Sequence, residues 1–241
     1  KTLVGTPQGG NLSPLLSNIM LNELDKELEN RGLRFVRYAD DCVITVGSEA
    51  AAKRVMHSIS RYIEKRLGLK VNMTKTKIVR PSKLKYLGFG FWKSSEGWKS
   101  RPHQDSVQSF KRKLKKLTAR KRSIDLDSRI ERLNWVIRGW INYFSMTNMK
   151  SVMESIDERL RTRIRVIIWK QWKKKSKRLL GLLKLGVPKW IADKVSGWGD
   201  HYQLVAQRSV LKRAISKPVL AKRGLVSCLD YYLKRHALKV S

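Results

Sequence analysis

Along most of the chain, apolar residues return every three or four positions, the period of a helix with one buried face. Only short runs keep the strand period of two. Leu16, Met20, Leu24 and Leu28 form a first stripe. Ser13-Pro14 opens it, with Ser as N-cap and Pro at the first helical position, and Asn30-Arg31-Gly32 closes it. A second stripe, with Ala52, Val55, Met56, Ile59, Tyr62, Ile63 and Leu67, runs from Ser48 to a terminating Gly68. Between the two, Phe35-Val36 and Val43-Ile44-Thr45-Val46 are β-branched and aromatic. They predict two short strands turning at Asp40-Asp41. Leu69-Lys70-Val71 and Lys77-Ile78-Val79 are strand-like, residues 85–92 read as a further strand, and Gly97-Trp98 as a hairpin tip.

The character changes near Arg101. Val107, Phe110, Leu114 and Leu117 predict one helix, which Arg120-Lys121-Arg122-Ser123 breaks. Ile130, Leu133, Ile137, Trp140, Ile141 and Phe144 predict a second, and Val152, Ile156, Leu160, Ile164, Ile168 and Trp172 a third. Three amphipathic helices with short connections suggest a bundle. Gly186-Val187-Pro188 ends that region, and residues 196–241 read as a basic, partly helical tail. The pattern predicts an α+β region with helices on one sheet face over residues 1–100, an all-α region over 101–195, and the tail.

Charge changes the picture most. Lys and Arg number 53 against 19 Asp and Glu, a net of +34. Residues 1–100 hold 18 basic and 9 acidic side chains, a net of +9, so the remainder carries +25. Such an excess calls for a polyanionic partner, nucleic acid foremost. An acidic membrane is the alternative, but no lipidation signal or long apolar span accompanies it. Cys42 and Cys228 are the only cysteines, which excludes a disulfide framework or a Cys-rich zinc site and suits a reducing compartment. His103, His201 and His236 have no metal-ligand spacing. The chain opens on Lys1 and reads as a fragment that begins inside a domain.

Asp40 and Asp41 are the candidate chemistry. Two carboxylates about 4 Å apart repel by roughly 4 kcal/mol at an effective dielectric near 20. A bound divalent cation relieves that cost, and hard carboxylate oxygens suit Mg²⁺. An isolated Asp-Asp pair is more often a solvated hairpin turn. The neighbours alter that balance.

Tyr38-Ala39-Asp40-Asp41 inside an apolar hairpin resembles the catalytic turn of reverse transcriptases. Upstream, Gly5-Thr6-Pro7-Gln8-Gly9-Gly10 followed by Ser13-Pro14-Leu15-Leu16-Ser17-Asn18 resembles the Pro-Gln-Gly block of the same family. In this detailed form it is most similar to group II intron-encoded reverse transcriptase/maturases. Arg138-Gly139-Trp140-Ile141-Asn142-Tyr143-Phe144 and Trp169-Lys170-Gln171-Trp172-Lys173 look like signatures of that family's thumb, the maturase or X domain. The resemblance implies the C-terminal half of a polymerase palm followed by an all-α thumb, with the tail similar to the start of a DNA-binding region. By resemblance, Asp40 and Asp41 hold Mg²⁺, with Mn²⁺ as an alternative. Tyr38 and Ala39 lie by the primer end, Pro7, Gln8 and Gly9 line the nucleotide and template pocket, and Lys75 neutralises triphosphate or protonates pyrophosphate.

Arg159, Arg161, Arg163, Arg165, Lys170, Lys173, Lys174 and Lys175 form a cation run around the third bundle helix. With few acidic partners, it is expected to be an RNA-phosphate surface. Trp92, Trp98 and Trp198 are the tryptophans freer to stack on bases. The partners implied are group II intron RNA, an RNA template with DNA primer, dNTP and target DNA, with no membrane. The setting implied is a bacterial cytoplasm. The family's fingers and its further catalytic aspartate lie upstream of the Pro-Gln-Gly block, so polymerisation is expected to need an added N-terminal half. A non-polymerising maturase and the remnant of a decayed mobile element stay open as alternatives.

Overall fold

A computed structural model of the chain describes residues 10–121 and 124–240. It divides into two compact units that meet in sequence at Leu87 and Gly88. The chain is of mixed helix and sheet.

The first unit holds α1 (Ser13–Asn30), β1 (Arg34–Tyr38), β2 (Asp41–Thr45), α2 (Glu49–Arg66) and a two-residue strand, β3 (Lys85–Tyr86). Alternation decides the hairpin's inner face. Phe35 stands opposite Ile44 and Arg37 opposite Cys42, and Phe35, Cys42 and Ile44 pack against Leu21, Leu24 and Leu28 of α1 and Ile59 of α2. The two helices therefore cover one sheet face, as the pattern predicts. Ser48 caps α2 by accepting from the Ala51 amide. Gly68 takes φ +64 just after it, a conformation glycine adopts at no steric cost.

Four local expectations need correction. Helix α1 begins at Ser13 itself, with Leu12 rather than Ser13 at the cap position. Its apolar stripe does not stay inward: Leu24 and Leu28 are buried, but Leu16 and Met20 are nearly half exposed and Leu21 takes the inner place. Residues 69–71 and 77–79 are not strands. A strand needs a ladder partner, and among the described residues β1 pairs only with β2. Instead Asn72 organises a helical turn, its side-chain oxygen accepting from the Thr74 and Lys75 amides. Finally, residues 85–92 do not run as one strand, because Leu87 and Gly88 take positive φ and break it.

The second unit holds the antiparallel hairpin β4 (Phe89–Ser94) and β5 (Gly97–Pro102), then α3 (Gln104–Leu117), α4 (Leu126–Phe144) and α5 (Lys150–Gln171). Helices α6 (Lys175–Lys184), α7 (Lys189–Ser196), α8 (Tyr202–Gln207), α9 (Ser209–Ala214), α10 (Lys217–Lys222) and α11 (Cys228–Val240) follow. The three expected stripes form its main core, with Phe110, Leu133, Ile137, Ile141, Ile156, Leu160 and Ile164 buried together. Ile215, Leu220, Leu225, Cys228 and Tyr232 belong to the same core, so the segment beyond Ser196 folds back onto α4 and α5. A second, smaller core gathers Trp169, Leu182, Ala192, Val195, Val205 and Leu211.

One device recurs in this unit: arginines close helix C-termini. The last turn of α3 leaves carbonyls without helical partners. Arg129 donates to Leu117 and Ala119 oxygens, and Arg163 to Lys115 and Thr118 oxygens. Arg178 donates to the Trp172 carbonyl at the end of α5, and lies over the Trp169 ring. A delocalised cation suits these positions, since it carries several donors and offsets the helix dipole's negative end.

Candidate functional site: an acidic hairpin tip and a cationic helical unit

The register of β1 and β2 pairs Tyr38 with Asp41, which leaves Ala39 and Asp40 as a two-residue turn. Ala39 sits at φ +53, a conformation unfavourable for a residue with a Cβ. A strained turn persists only where its surroundings over-determine it, and Arg37 supplies the restraint. Its guanidinium donates to both Asp25 carboxylate oxygens at 2.7 and 2.5 Å, to the Asn18 side chain at 3.0 Å and to the Ala39 carbonyl at 2.9 Å. Bidentate pairing with Asp25 raises the Arg37 pKa and fixes the turn to α1. Tyr86 donates to the Asp41 carbonyl at 3.3 Å from the other side.

Asp40, Asp41 and Tyr38 are thereby exposed at the tip. In a chain of net charge +34, no described cation forms an ion pair with either tip carboxylate. Asp25, twelve residues from Arg37, is the acid that does. The donor chemistry at the tip suits a hard divalent cation. Among the described residues, no group of three or more Asp, Glu, His or Cys could complete a metal site.

Pro7, Gln8 and Gly9 lie outside the described residues. Lys75 is exposed in the Asn72 turn of the first unit. Cys42, on the inner face beside Arg37, has its thiol pushed up to about 11 by burial and by nearby Asp25.

The cation run in the second unit divides. Arg159, Lys173, Lys174 and Lys175 are exposed, and Arg161 is half-buried 3.9 Å from Asp157. Lys170 donates to the Arg120 carbonyl. Arg163 caps α3 and also donates to the Thr118 hydroxyl. Arg165 is buried, donating its Nε–H to the Ile215 carbonyl. Burial lowers the pKa of both Arg163 and Arg165. In sequence these look alike; only the helix phase separates outward from inward positions.

Among the tryptophans, Trp98 is exposed as expected, whereas Trp92 and Trp198 are half-buried. The most exposed are Trp135 and Trp190, at 73 and 74%. Trp135 lies off the apolar stripe of α4, between Arg132 and Arg138. That off-phase placement was the available signal. His103 accepts from the Asp105 amide at the start of α3, and the His236 ring contacts the Ser145 carbonyl, both structural roles. Among the described residues no helix is long and apolar enough to cross a membrane.

Comparison with known proteins divides the chain in the same order. Residues 1–91 match the family described as reverse transcriptase (RNA-dependent DNA polymerase). Residues 107–182 match the group II intron, maturase-specific domain. Protein YkfC of Escherichia coli (strain K12) is 35% identical over 108 residues, 31% of this chain and 28% of that protein. A COX1/OXI3 intron 2 protein of Saccharomyces cerevisiae is 28% identical over 160 residues, 43% of this chain and 19% of that protein. The group II intron-encoded protein LtrA of Lactococcus lactis is 41% identical over 63 residues, 25% of this chain and 10% of that protein. The matched stretches thus span less than a third of each of these relatives.

Proposed function

Because the chain belongs to the family of group II intron-encoded reverse transcriptase/maturases, we propose that it carries the catalytic turn and the intron-RNA-binding thumb of an RNA-directed DNA polymerase. In this reading the same polypeptide assists splicing and mobility of its intron. Residues 1–100 are palm, 101–195 thumb, and 196–241 the start of a DNA-binding region. The observation that carries the reading is the tip itself. A strained turn is pinned by Arg37 so that Asp40 and Asp41 face outward without a countercharge among the described residues, in a chain that has cations in excess.

Nucleotidyl transfer is mainly positioning and charge neutralisation. Reverse transcriptases generally use Mg²⁺, which when bound offsets the charge of the attacking 3′-hydroxyl and the leaving pyrophosphate; Mn²⁺ is an alternative. Asp40 and Asp41 would hold such ions, together with a carboxylate from an N-terminal fingers and palm half. Arg37 keeps the tip in place through the Ala39 carbonyl. The exposed Tyr38 ring offers a flat apolar face for the primer end. Pro7, Gln8 and Gly9 would line the pocket for dNTP and template, and Lys75 would balance triphosphate charge. In the second unit, Arg159, Arg161, Arg163, Arg165, Lys170, Lys173, Lys174 and Lys175 would hold intron RNA by its phosphates, with Arg163 and Arg165 also bracing helix ends.

Primer extension on an RNA template with Mg²⁺ tests this, with the chain alone and with the N-terminal half added. The reconstituted enzyme should extend. Asp40→Asn should slow it about a hundredfold or more, roughly 2.7 kcal/mol of transition-state stabilisation. An undiminished rate would remove Asp40 from the metal site. A second reading, a maturase that binds RNA without polymerising, draws on the helical unit's own two cores. It expects splicing of the intron RNA to survive Asp40→Asn in full.

A further inference from the structure

Between α5 and α9 the second unit presents an open, polar cavity of about 520 Å³, within the size range of small-ligand sites. Ser151, Glu154, Ser155, Glu158, Arg161 and Arg165 line it from α5, and Lys212 from α9. The α5 residues are spaced by three or four positions along one face, so the helix presents them as a continuous stripe.

Arg165 makes this more than a groove. Its side chain is buried, with 5% of the residue exposed, yet among the described residues no carboxylate forms an ion pair with it. Only Nε has a partner, the Ile215 carbonyl at 3.0 Å. The two terminal nitrogens have no hydrogen-bond partner among the described residues and are not buried atoms, so they open to solvent where Arg165 lines the cavity. A guanidinium carries five donors, and one fixed through Nε alone leaves a two-pronged face available to a ligand. Arg161 and Lys212 stand at the same opening; Arg161 repels Arg165, and the nearby Glu158 carboxylate offsets part of that repulsion. Asp157 does not relieve it. It is 3.9 Å from Arg161, and its oxygens already accept from Ser227, Cys228 and Leu229. A phosphate group would satisfy all three cations, with Arg165 offering a two-pronged face.

Glu154 and Glu158 are exposed at the rim. They disfavour a second phosphate and accept from a ligand that brings hydroxyl donors. Phosphate beside a hydroxyl-bearing sugar is the chemistry of a ribonucleotide.

We propose that this cavity binds one ribonucleotide unit of RNA, its phosphate held by Arg161, Arg165 and Lys212 and its ribose hydroxyl by Glu158. The proposal rests on the RNA-binding reading above and sharpens it from a charged surface to a defined subsite. Fluorescence anisotropy of the full chain, with a labelled oligoribonucleotide and the same sequence as DNA, tests it across a salt series. Lys212→Ala should weaken RNA binding severalfold and flatten the log–log salt slope by about one. Glu158→Gln should narrow the preference for RNA over DNA. Arg213→Ala removes an equal charge from α9 outside the cavity lining and should keep that preference. If Lys212→Ala and Glu158→Gln both keep wild-type affinity, slope and preference while Lys173→Ala weakens RNA, the subsite is wrong and the RNA reading stands. If the wild-type chain binds no RNA, that reading fails. Titration with adenosine monophosphate, followed by the Arg165 Nε–H resonance, then decides the cavity alone: a shift retains it as a nucleotide site, and an unmoved resonance overturns it.

Discussion

Arg37 decides the geometry of the acidic tip although nothing in its immediate neighbourhood announces the role. Its partners, Asn18, Asp25 and Ala39, lie on a helix and a turn that meet only in the fold. Sequence showed the carboxylates because Asp40 and Asp41 sit in a local motif, and it hid the restraint because that restraint is tertiary. Arg37→Ala should cost about 2 kcal/mol, the scale of a lost charge-assisted contact, and raise hydrogen exchange of β1 and β2 amides about thirtyfold. The two thiols offer a second residue-scale check. Cys42 titrates near 11, and burial beside Asp157 raises Cys228 well above the ordinary 9.0. Because the thiolate is the nucleophile, alkylation at pH 8 should leave Cys228 untouched until unfolding, and Cys42 should react slowly, faster as pH nears 11. The linkage runs the same way. A folded pKa above the unfolded one contributes stability that is full below pH 9.0 and lost as pH climbs toward 11.

Helices separate the readable from the unreadable most clearly. The periods of α3, α4 and α5 and the cap at Ser48 were legible, because each expresses burial or a local hydrogen bond. The exposure of Leu16 and Met20 was not, since a stripe says which face is apolar and not how far the unit extends to cover it. Strand character at residues 69–71 and 77–79 failed for the same reason: propensity without a partner does not make a sheet. The cation run hid a second role, because Arg163 and Arg165 also serve helix ends whose positions composition does not reveal. Two helical glycines make opposite forecasts. In α6, a Cβ on Gly181 would stand 2.5 Å from the Trp172 ring, so Gly181→Ala should destabilise by about 2 kcal/mol through overpacking. In α4, a Cβ on Gly139 meets nothing within 4 Å, and Gly139→Ala should stabilise by about 0.5–1 kcal/mol from helix propensity. Urea denaturation followed by tryptophan fluorescence reads both.

At the scale of the whole chain, charge and fold class were visible early: mixed helix and sheet first, helices afterwards, with most positive charge in the second part. The return of the last helix was not visible. Asp157, only 4% exposed, receives α11 by accepting from the Cys228 and Leu229 amides and the Ser227 hydroxyl. This is an N-terminal cap supplied from another helix. Asp157→Ala leaves those donors unpaired and should cost about 3 kcal/mol, seen as a lower urea midpoint of the second unit and not of the first. The docking also sets an order in time. Asp157 meets Cys228 across 71 positions, Asn134 meets Gly224 across 90, and Asn142 meets Arg235 across 93. Contacts so distant in sequence close late. During translation, α4 and α5 emerge with a flank of their core bare, and it stays bare until Tyr232 has left the ribosome. A nascent chain of this kind gains its finished helical surface only once α11 has emerged. Until then, the exposed strip is a natural landing place for chaperones and a hazard for aggregation.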